Sequence, residues 1–150
     1  MSRLMIHQPE FLPWTNLFTK VYYSDVFVFL DSVQYARRSF QNRNVIKTRT
    51  GERWLTVPLK KSPRDEKIKN IRIDNTKDWK NQHLRIILDS YKKAPYYNPF
   101  INILESGYEK EWDKLSDLNC WLTKEIIKFL GLKVDFVRSS QLNSEGSKLD

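Results

Sequence analysis

Two apolar runs separated by a helical pattern lie within the first thirty residues, and they restrict the fold more than any other feature. Residues 4–6 are apolar and stop at His7, which is typical of a buried strand that runs into a loop. Residues 26–30, Val-Phe-Val-Phe-Leu, form a continuous β-rich run of the kind buried on both faces. Between them, Leu17 and Val21 provide an apolar helix face. Strand, helix and strand over so short a length predict a βαβ unit and therefore a parallel sheet.

The rest of the chain predicts further elements around that sheet. Residues 31–50 are polar and are expected to be irregular, whereas β-rich runs predict strands over residues 54–59 and 134–137. Apolar residues at steps of three and four predict helices over residues 79–93, 99–108 and 117–130, the last with Phe129 facing inward. The tryptophans of these segments, and Trp14, are expected in the core. We therefore predict an α/β fold, with a parallel-type sheet opened by the βαβ unit and flanked by helices.

Composition excludes several classes of protein. A chain of 150 residues fits one domain, and 13% aromatic residues argue against disorder over the whole length. No apolar run approaches the ~18 residues of a membrane span, and the N-terminus lacks a signal pattern. One cysteine cannot form an internal disulfide, and two histidines supply too few ligands for a usual zinc site. We expect a soluble cytoplasmic protein without a structural metal; the sequence does not indicate a cofactor.

Positive charge is concentrated in the middle of the chain. The net charge of the whole chain is +8. Residues 37–93 contain 17 basic and 6 acidic side chains, or +11, whereas the segments before and after carry −1 and −2. A local basic field attracts anions such as nucleotide phosphates, nucleic acid or acidic lipid, although it also serves solubility alone.

Polar side chains follow the first two predicted strands. His7 and Gln8 come directly after the first strand, and Asp31 follows the second. Because parallel strands end at the same edge of a sheet, these side chains are expected to share one crevice. We predict that His7 acts there as an acid or base, with Asp31 as a second catalytic residue and Gln8 as a substrate contact. The alternative is that polar residues simply mark where each strand leaves the core.

The segment from residue 34 to residue 44 contains three arginines, four amides and two aromatic residues. Arginine forms forked hydrogen bonds to phosphate and stacks on rings, so this composition suits a planar or phosphorylated ligand. A solvated loop and a site for single-stranded nucleic acid remain alternatives. The predicted substrate-binding residues of this segment are Gln34, Tyr35, Arg38, Asn42 and Arg43.

His83 and Asn119 are polar residues on predicted helix faces. His83 lies on the inner face of the helix that begins at Trp79, where it is either a substrate contact or a core histidine whose hydrogen bonds are satisfied. If Asn42 and Asn119 are buried, their amides need hydrogen-bond partners. Standard glycine-rich phosphate loops and the Gly-x-Ser-x-Gly turn of serine hydrolases do not occur in the sequence.

Several motifs, in order along the chain, resemble the WbqC-like protein family. They are the opening His-Gln-Pro-x-x-Leu-Pro-Trp over residues 7–14, Leu-Asp-Ser-Val-Gln-Tyr over 30–35, Arg-Ser-Phe-Gln-Asn-Arg-Asn over 38–44, Trp-Leu-Thr-Val-Pro over 54–58, and Tyr-Lys-Lys-Ala-Pro-Tyr-Tyr over 91–97. The motif residues that the resemblance marks are His7, Gln8, Asp31, Gln34, Arg38, Asn42, Arg43 and His83.

The resemblance implies a role in bacterial O-antigen or other surface-polysaccharide synthesis. It also implies that relatives continue past residue 150, so we expect an incomplete Rossmann-like three-layer domain whose residues 139–150 are a flexible or truncated end. The first hypothesis is a transferase that acts on a nucleotide-linked sugar or another activated small molecule. The alternative is a non-catalytic module that binds an anionic ligand or nucleic acid. The position of His7 and Asp31 favours a small phosphorylated ligand over a nucleic acid; the oligomeric state is not predicted.

Overall fold

The computed structural model describes residues 2–142. Its strands are β1 (Leu4–His7), β2 (Val26–Phe29), β3 (Arg43–Thr48), β4 (Gly51–Thr56) and β5 (Asp135–Arg138). Its α-helices are α1 (Thr15–Tyr22), α2 (Trp79–Tyr91), α3 (Tyr97–Glu109) and α4 (Leu115–Phe129), and short 3-10 helices cover Ile68–Asn70 and Ser139–Gln141. Within this part of the chain, no helix has the length and apolar character required to cross a membrane.

The predicted βαβ unit is present, and it forms a three-stranded parallel sheet with β5. The strand order is β1-β2-β5, so β2 lies in the centre. His7, Phe29 and Arg138 occupy equivalent positions in the three strands. Since neighbours in a parallel register point to the same face, these three side chains start from one face at the carboxyl edge.

The two faces of the parallel sheet differ in how they are covered. Phe27 and Phe29 are fully buried against residues of α1 and α4. On the opposite face, Leu4 and Ile6 of β1 are 58% and 50% exposed. The prediction that residues 4–6 form a buried strand is therefore wrong in its burial, because β1 is an edge strand and only its other face packs against helices.

A β-hairpin lies where the sequence suggested an irregular segment. β3 and β4 pair antiparallel from Arg43 opposite Thr56 to Thr48 opposite Gly51. Gly51 has a φ of 118°, a backbone conformation that residues with a side chain rarely adopt. The residues of β3 are too polar to predict a strand on their own. The strand forms because it pairs with β4. The strand predicted over residues 54–59 is present as β4, but it begins three residues earlier, at Gly51, and ends at Thr56.

The helices α2, α3 and α4 surround a second core. Ile101 and Leu104 of α3 are buried, with Leu118 and Leu122 of α4. The three predicted helices are confirmed with shifted ends, but Phe129 is 43% exposed and does not face inward. It lies in the last turn of α4, beyond the part of the helix that the core covers.

Candidate functional site at the sheet edge

His7 ends β1 with its imidazole half-buried at the carboxyl edge of the sheet. Its Nδ1 lies 2.9 Å from the backbone carbonyl oxygen of Gln8. Because a carbonyl oxygen only accepts hydrogen bonds, Nδ1 carries a proton, and in the neutral form of the ring the lone pair is on Nε2. Nε2 forms no hydrogen bond with the residues from 2 to 142. The arrangement therefore fixes one tautomer and leaves a basic nitrogen for a ligand.

Asp31 follows β2, and its side chain has no exposed surface. Its Oδ1 accepts hydrogen bonds from the Ser139 hydroxyl (3.1 Å) and the Ser140 backbone N–H (2.9 Å). Its Oδ2 accepts from Arg138 Nε and the Ser140 hydroxyl, both at 2.8 Å. Four donors thus surround the carboxylate, so Asp31 joins the end of β2 to the end of β5.

Arg138 connects this carboxylate to the start of α4. Its Nη1 donates to Asp117, and its Nη2 donates to the Ser116 hydroxyl over 2.9 Å. We call these six residues, Asp31, Ser116, Asp117, Arg138, Ser139 and Ser140, the carboxyl-end network. Its two carboxylates and one guanidinium carry a net charge of −1 when all three are ionised.

Asp31 and Arg138 keep their charges despite burial. Burial acts to raise the pKa of Asp31, but hydrogen bonds from Ser140 and Arg138 outweigh it and leave that pKa below its ordinary value. Burial likewise acts to lower the pKa of Arg138, and its contacts with Asp117 and Asp31 reverse the effect. At neutral pH, Asp31 is therefore a charged acceptor with all its hydrogen bonds made inside the protein.

The sequence does not predict Ser139 and Ser140 as site residues, because residues 139–150 are expected to be a flexible or truncated end. The Ser139 hydroxyl accepts the backbone N–H groups of Asp31 (3.0 Å) and Ser32 (3.2 Å). The available signal was their position directly after a predicted strand, where β5 reaches the same edge as Asp31. The expectation for residues 143–150 falls outside the described residues.

Amide side chains hold the loop after β1 against the segment that follows Asp31. Gln8 Oε1 accepts from Gln41 Nε2 over 2.6 Å, and Gln41 Oε1 accepts from the backbone N–H of Ala36. From α4, the fully buried Asn119 donates to the carbonyl oxygens of Pro9 (3.3 Å) and Gln41 (2.7 Å). The prediction that a buried Asn119 needs hydrogen-bond partners is confirmed for its side-chain nitrogen. Gln41 is a positioning residue that the sequence did not single out.

Gln34, Tyr35 and Asn42 are predicted substrate contacts whose side chains form hydrogen bonds within the protein. The Tyr35 hydroxyl donates to Asn42 Oδ1 over 3.1 Å, and Asn42 Nδ2 donates to the Val57 carbonyl. Gln34 donates to the carbonyl oxygen of Arg64, although its side chain is exposed. These side chains shape the segment, and their contact with a substrate stays a prediction.

Arg38 and Arg43 are the two arginines of this segment that the sequence predicts as substrate contacts, and Arg43 is half-buried. Arg38 is exposed, and its φ of 58° lies in the left-handed region that non-glycine residues seldom occupy. Arg43 Nη2 donates to the Arg38 carbonyl over 2.7 Å, so the two residues are held together. Arg37 is exposed as well, and it donates to the carbonyl oxygens of Ser62 and Pro63.

His83 lies in the second core, 4% exposed, with both ring nitrogens engaged. Nε2 donates to the Thr56 carbonyl (3.2 Å), so Nδ1 accepts the Tyr108 hydroxyl at 3.0 Å. Burial lowers the pKa of His83 to about 4, so the ring is neutral at pH 7. These contacts fit the core alternative, and a substrate contact would require their rearrangement.

Within residues 2–142, His, Cys, Asp and Glu side chains form no group of three suited to a metal ion.

The chain is similar to proteins of one family. A sequence model of the WbqC-like protein family matches residues 8–150. Protein Rv1507c of Mycobacterium tuberculosis is 33% identical over 141 residues, which are 93% of this chain and 61% of the relative. The chain thus spans about three-fifths of that relative's length. No solved structure matches the chain significantly. Because the family match covers nearly all of the sequence, including the Gln8 loop, Asp31 and the segment that follows it, the chain belongs to the WbqC-like protein family.

Proposed function

We propose that the carboxyl edge of the parallel sheet binds an anionic, activated small molecule such as a nucleotide-linked sugar, and that His7 moves a proton during transfer of a group to or from it. The observation that carries this proposal is the fixed tautomer of His7, with the lone pair of Nε2 available. A positioned imidazole that exchanges protons near neutral pH is the usual acid or base of group transfer.

The surroundings of His7 support a small anionic ligand. Gln8 is held by Gln41, so the loop that directly follows His7 is preorganised. Arg38 and Arg43 lie on the segment joined to that loop and provide positive charge for phosphate. Asp31 enters as a positioning residue, because its buried carboxylate holds the strand ends and has no surface for a substrate.

The wider assignment is part of the same proposal. We place the reaction in bacterial O-antigen or surface-polysaccharide synthesis, in the cytoplasm, on the basis of family membership. Residues 1–150 are proposed to form one domain of incomplete Rossmann-like, three-layer type. The helices α1 and α4 cover one face of the parallel sheet, and on the other face the edge-strand residues Leu4 and Ile6 are exposed.

Nucleotide sugars incubated with the protein and a saccharide acceptor, followed by chromatography of the nucleotide products, test the proposal. We expect His7→Ala to slow turnover by at least ~100-fold, the usual contribution of a positioned acid or base, with ligand affinity changed much less. Added imidazole should restore part of the turnover of His7→Ala, since the small molecule fills the vacated position. Unaltered turnover in His7→Ala, or absence of binding to any nucleotide sugar, would contradict the proposal.

A further inference from the structure

Trp14, Phe40 and Trp54 form an exposed aromatic cluster, which we call the aromatic platform. Phe40 stacks on Trp54 with ring centroids 6.1 Å apart and planes inclined by 28°. Trp14 meets Phe40 edge-on, with centroids 6.0 Å apart. The three side chains are 52%, 39% and 47% exposed in chain order, and they belong to neither core. The expectation that Trp14 and Trp54 are core residues is wrong.

The backbone explains why the platform faces outward. Trp54 lies in β4 between Arg53 and Leu55, and Leu55 is fully buried, so the alternation of the strand turns Trp54 to the opposite face. Trp14 directly precedes α1, whose buried residues Leu17 and Val21 lie on another side of the helix. Three adjacent aromatic rings with this much exposed surface are uncommon unless they bind something.

Arginine adds a positive charge to the platform. The guanidinium carbon of Arg43 lies 4.6 Å from the ring centroid of Trp54. Arg43 Nε is buried and has no hydrogen-bond partner among the described residues. Arg38, held by Arg43, is exposed and forms no ion pair with residues 2–142. Aromatic rings beside forked cations match a ligand that combines a flat ring with a phosphate.

The platform is attached to the loop that carries His7. The backbone N–H of Phe11 donates to the carbonyl oxygen of Phe40 over 3.0 Å, and Gln41 donates to Gln8 over 2.6 Å. Beside Trp14, an open groove of about 510 Å³ runs along the hairpin past Lys47 and Arg49. Its size is within the range of small-molecule sites.

We propose that the base of a nucleotide stacks on the aromatic platform, with its phosphate paired to Arg38 and Arg43. This inference rests on the proposed function, because it names the part of the ligand that the platform would hold. All nucleobases stack on aromatic rings, so we expect the platform to bind a nucleobase without selecting among the different bases.

Binding is measured by calorimetry with uridine and adenosine 5′-monophosphates, which require no turnover. Ribose 5-phosphate supplies the phosphate without a base, and uridine supplies a base without phosphate; each should bind more weakly than the nucleotides. Trp54→Leu should weaken nucleotide binding by roughly 5- to 150-fold, the range for losing one base–aromatic stack. Trp54→Phe keeps a ring and should recover most of the affinity. Tyr96→Leu, a substitution of a 74% exposed aromatic residue between α2 and α3, is the control and should bind as wild type does.

Several results would overturn the inference. They are equal affinity for nucleotides and ribose 5-phosphate, wild-type affinity of a Trp54→Leu variant with an unchanged circular dichroism spectrum, and no affinity for either nucleotide. A dimer in sedimentation that Trp54→Leu dissociates would assign the platform to a second copy of the chain. Tighter, strongly salt-dependent binding of a single-stranded oligonucleotide would assign it to nucleic acid. Each of these leaves the turnover test of His7 intact, so failure of the platform is distinct from failure of the proposed function.

Discussion

Replacing Asp31 with asparagine tests whether the buried carboxylate holds the strand ends together. Asparagine has the same shape but carries an NH₂ donor in place of one oxygen. In either orientation this donor meets an N–H group that now donates to Asp31, namely Nε of Arg138 or the backbone N–H of Ser140. Removing one partner of a buried ion pair typically costs about 3–5 kcal/mol. Arg138 keeps Asp117 as a partner, so we expect a loss in the free energy of unfolding of about 3 kcal/mol.

A matched control lies at the other end of β2. Asp25 pairs with Arg3, but the two side chains are 47% and 64% exposed, and exposed pairs contribute little. For a chain of this size each kcal/mol shifts Tm by about 2–4 °C, so calorimetry at pH 7 should show Asp31→Asn lower by roughly 6–12 °C. Asp25→Asn should melt close to wild type.

The pH dependence gives a second check on Asp31. Because its pKa is lowered in the folded state, its contribution to stability is complete above the unfolded value of about 3.9 and disappears as the pH falls through the folded value. Wild type and Asp31→Asn should therefore converge in acid. Equal Tm values for Asp31→Asn and Asp25→Asn at pH 7, or a gap between wild type and Asp31→Asn that does not narrow as the pH falls below about 3.9, would refute the reasoning.

Two further substitutions test the second core. The folded pKa of His83 is about 4 against 6.5 when unfolded, so only the unfolded state gains this proton between those values, and stability should fall by about 1.4 kcal/mol per pH unit on acidification. Urea unfolding between pH 6.5 and 5 should show a flatter dependence for His83→Gln, and an identical slope would contradict this. Gly107→Ala should lower the free energy of unfolding by about 1–3 kcal/mol, because its Cβ would lie 2.6 Å from Cζ3 of Trp121. Ser106→Ala, a substitution of the exposed neighbouring residue, should not lower it. Equal Tm values for Gly107→Ala and Ser106→Ala would contradict the close contact.

Local patterns predicted the elements that bury apolar residues at regular spacing. The β2 run and the α4 stripe carry enough apolar residues for their periods to be read without a partner. β3 shows the limit, since Arg43, Asn44 and Lys47 are polar and form a strand only because β4 pairs with them. The same pairing explains why Trp54 is exposed, because the register of the two strands decides on which face of the hairpin each side chain lies.

The candidate site was predicted where it depends on the βαβ unit, which sets the carboxyl ends of β1 and β2 side by side. The roles within it depend on residues distant in sequence. No residue near Asp31 in the sequence indicates that Ser140, more than a hundred residues later, donates two hydrogen bonds to its carboxylate. Likewise, the contact of Asn119 with Gln41 joins a helix to a loop that it does not adjoin in sequence.

The central position of β2 has a consequence for the protein while it is being made. Arg138, which binds Asp31 at the end of β2, follows it by 107 residues. At about 5–20 residues per second, a ribosome needs roughly 5–20 s to synthesise that interval. Throughout it, Phe27 and Phe29 lack the neighbouring strand β5, and for most of it they also lack the cover of α4, which ends at Phe129. The nascent chain therefore presents an open, apolar strand edge for several seconds, and yields at the ribosome should depend on chaperones that shield such edges.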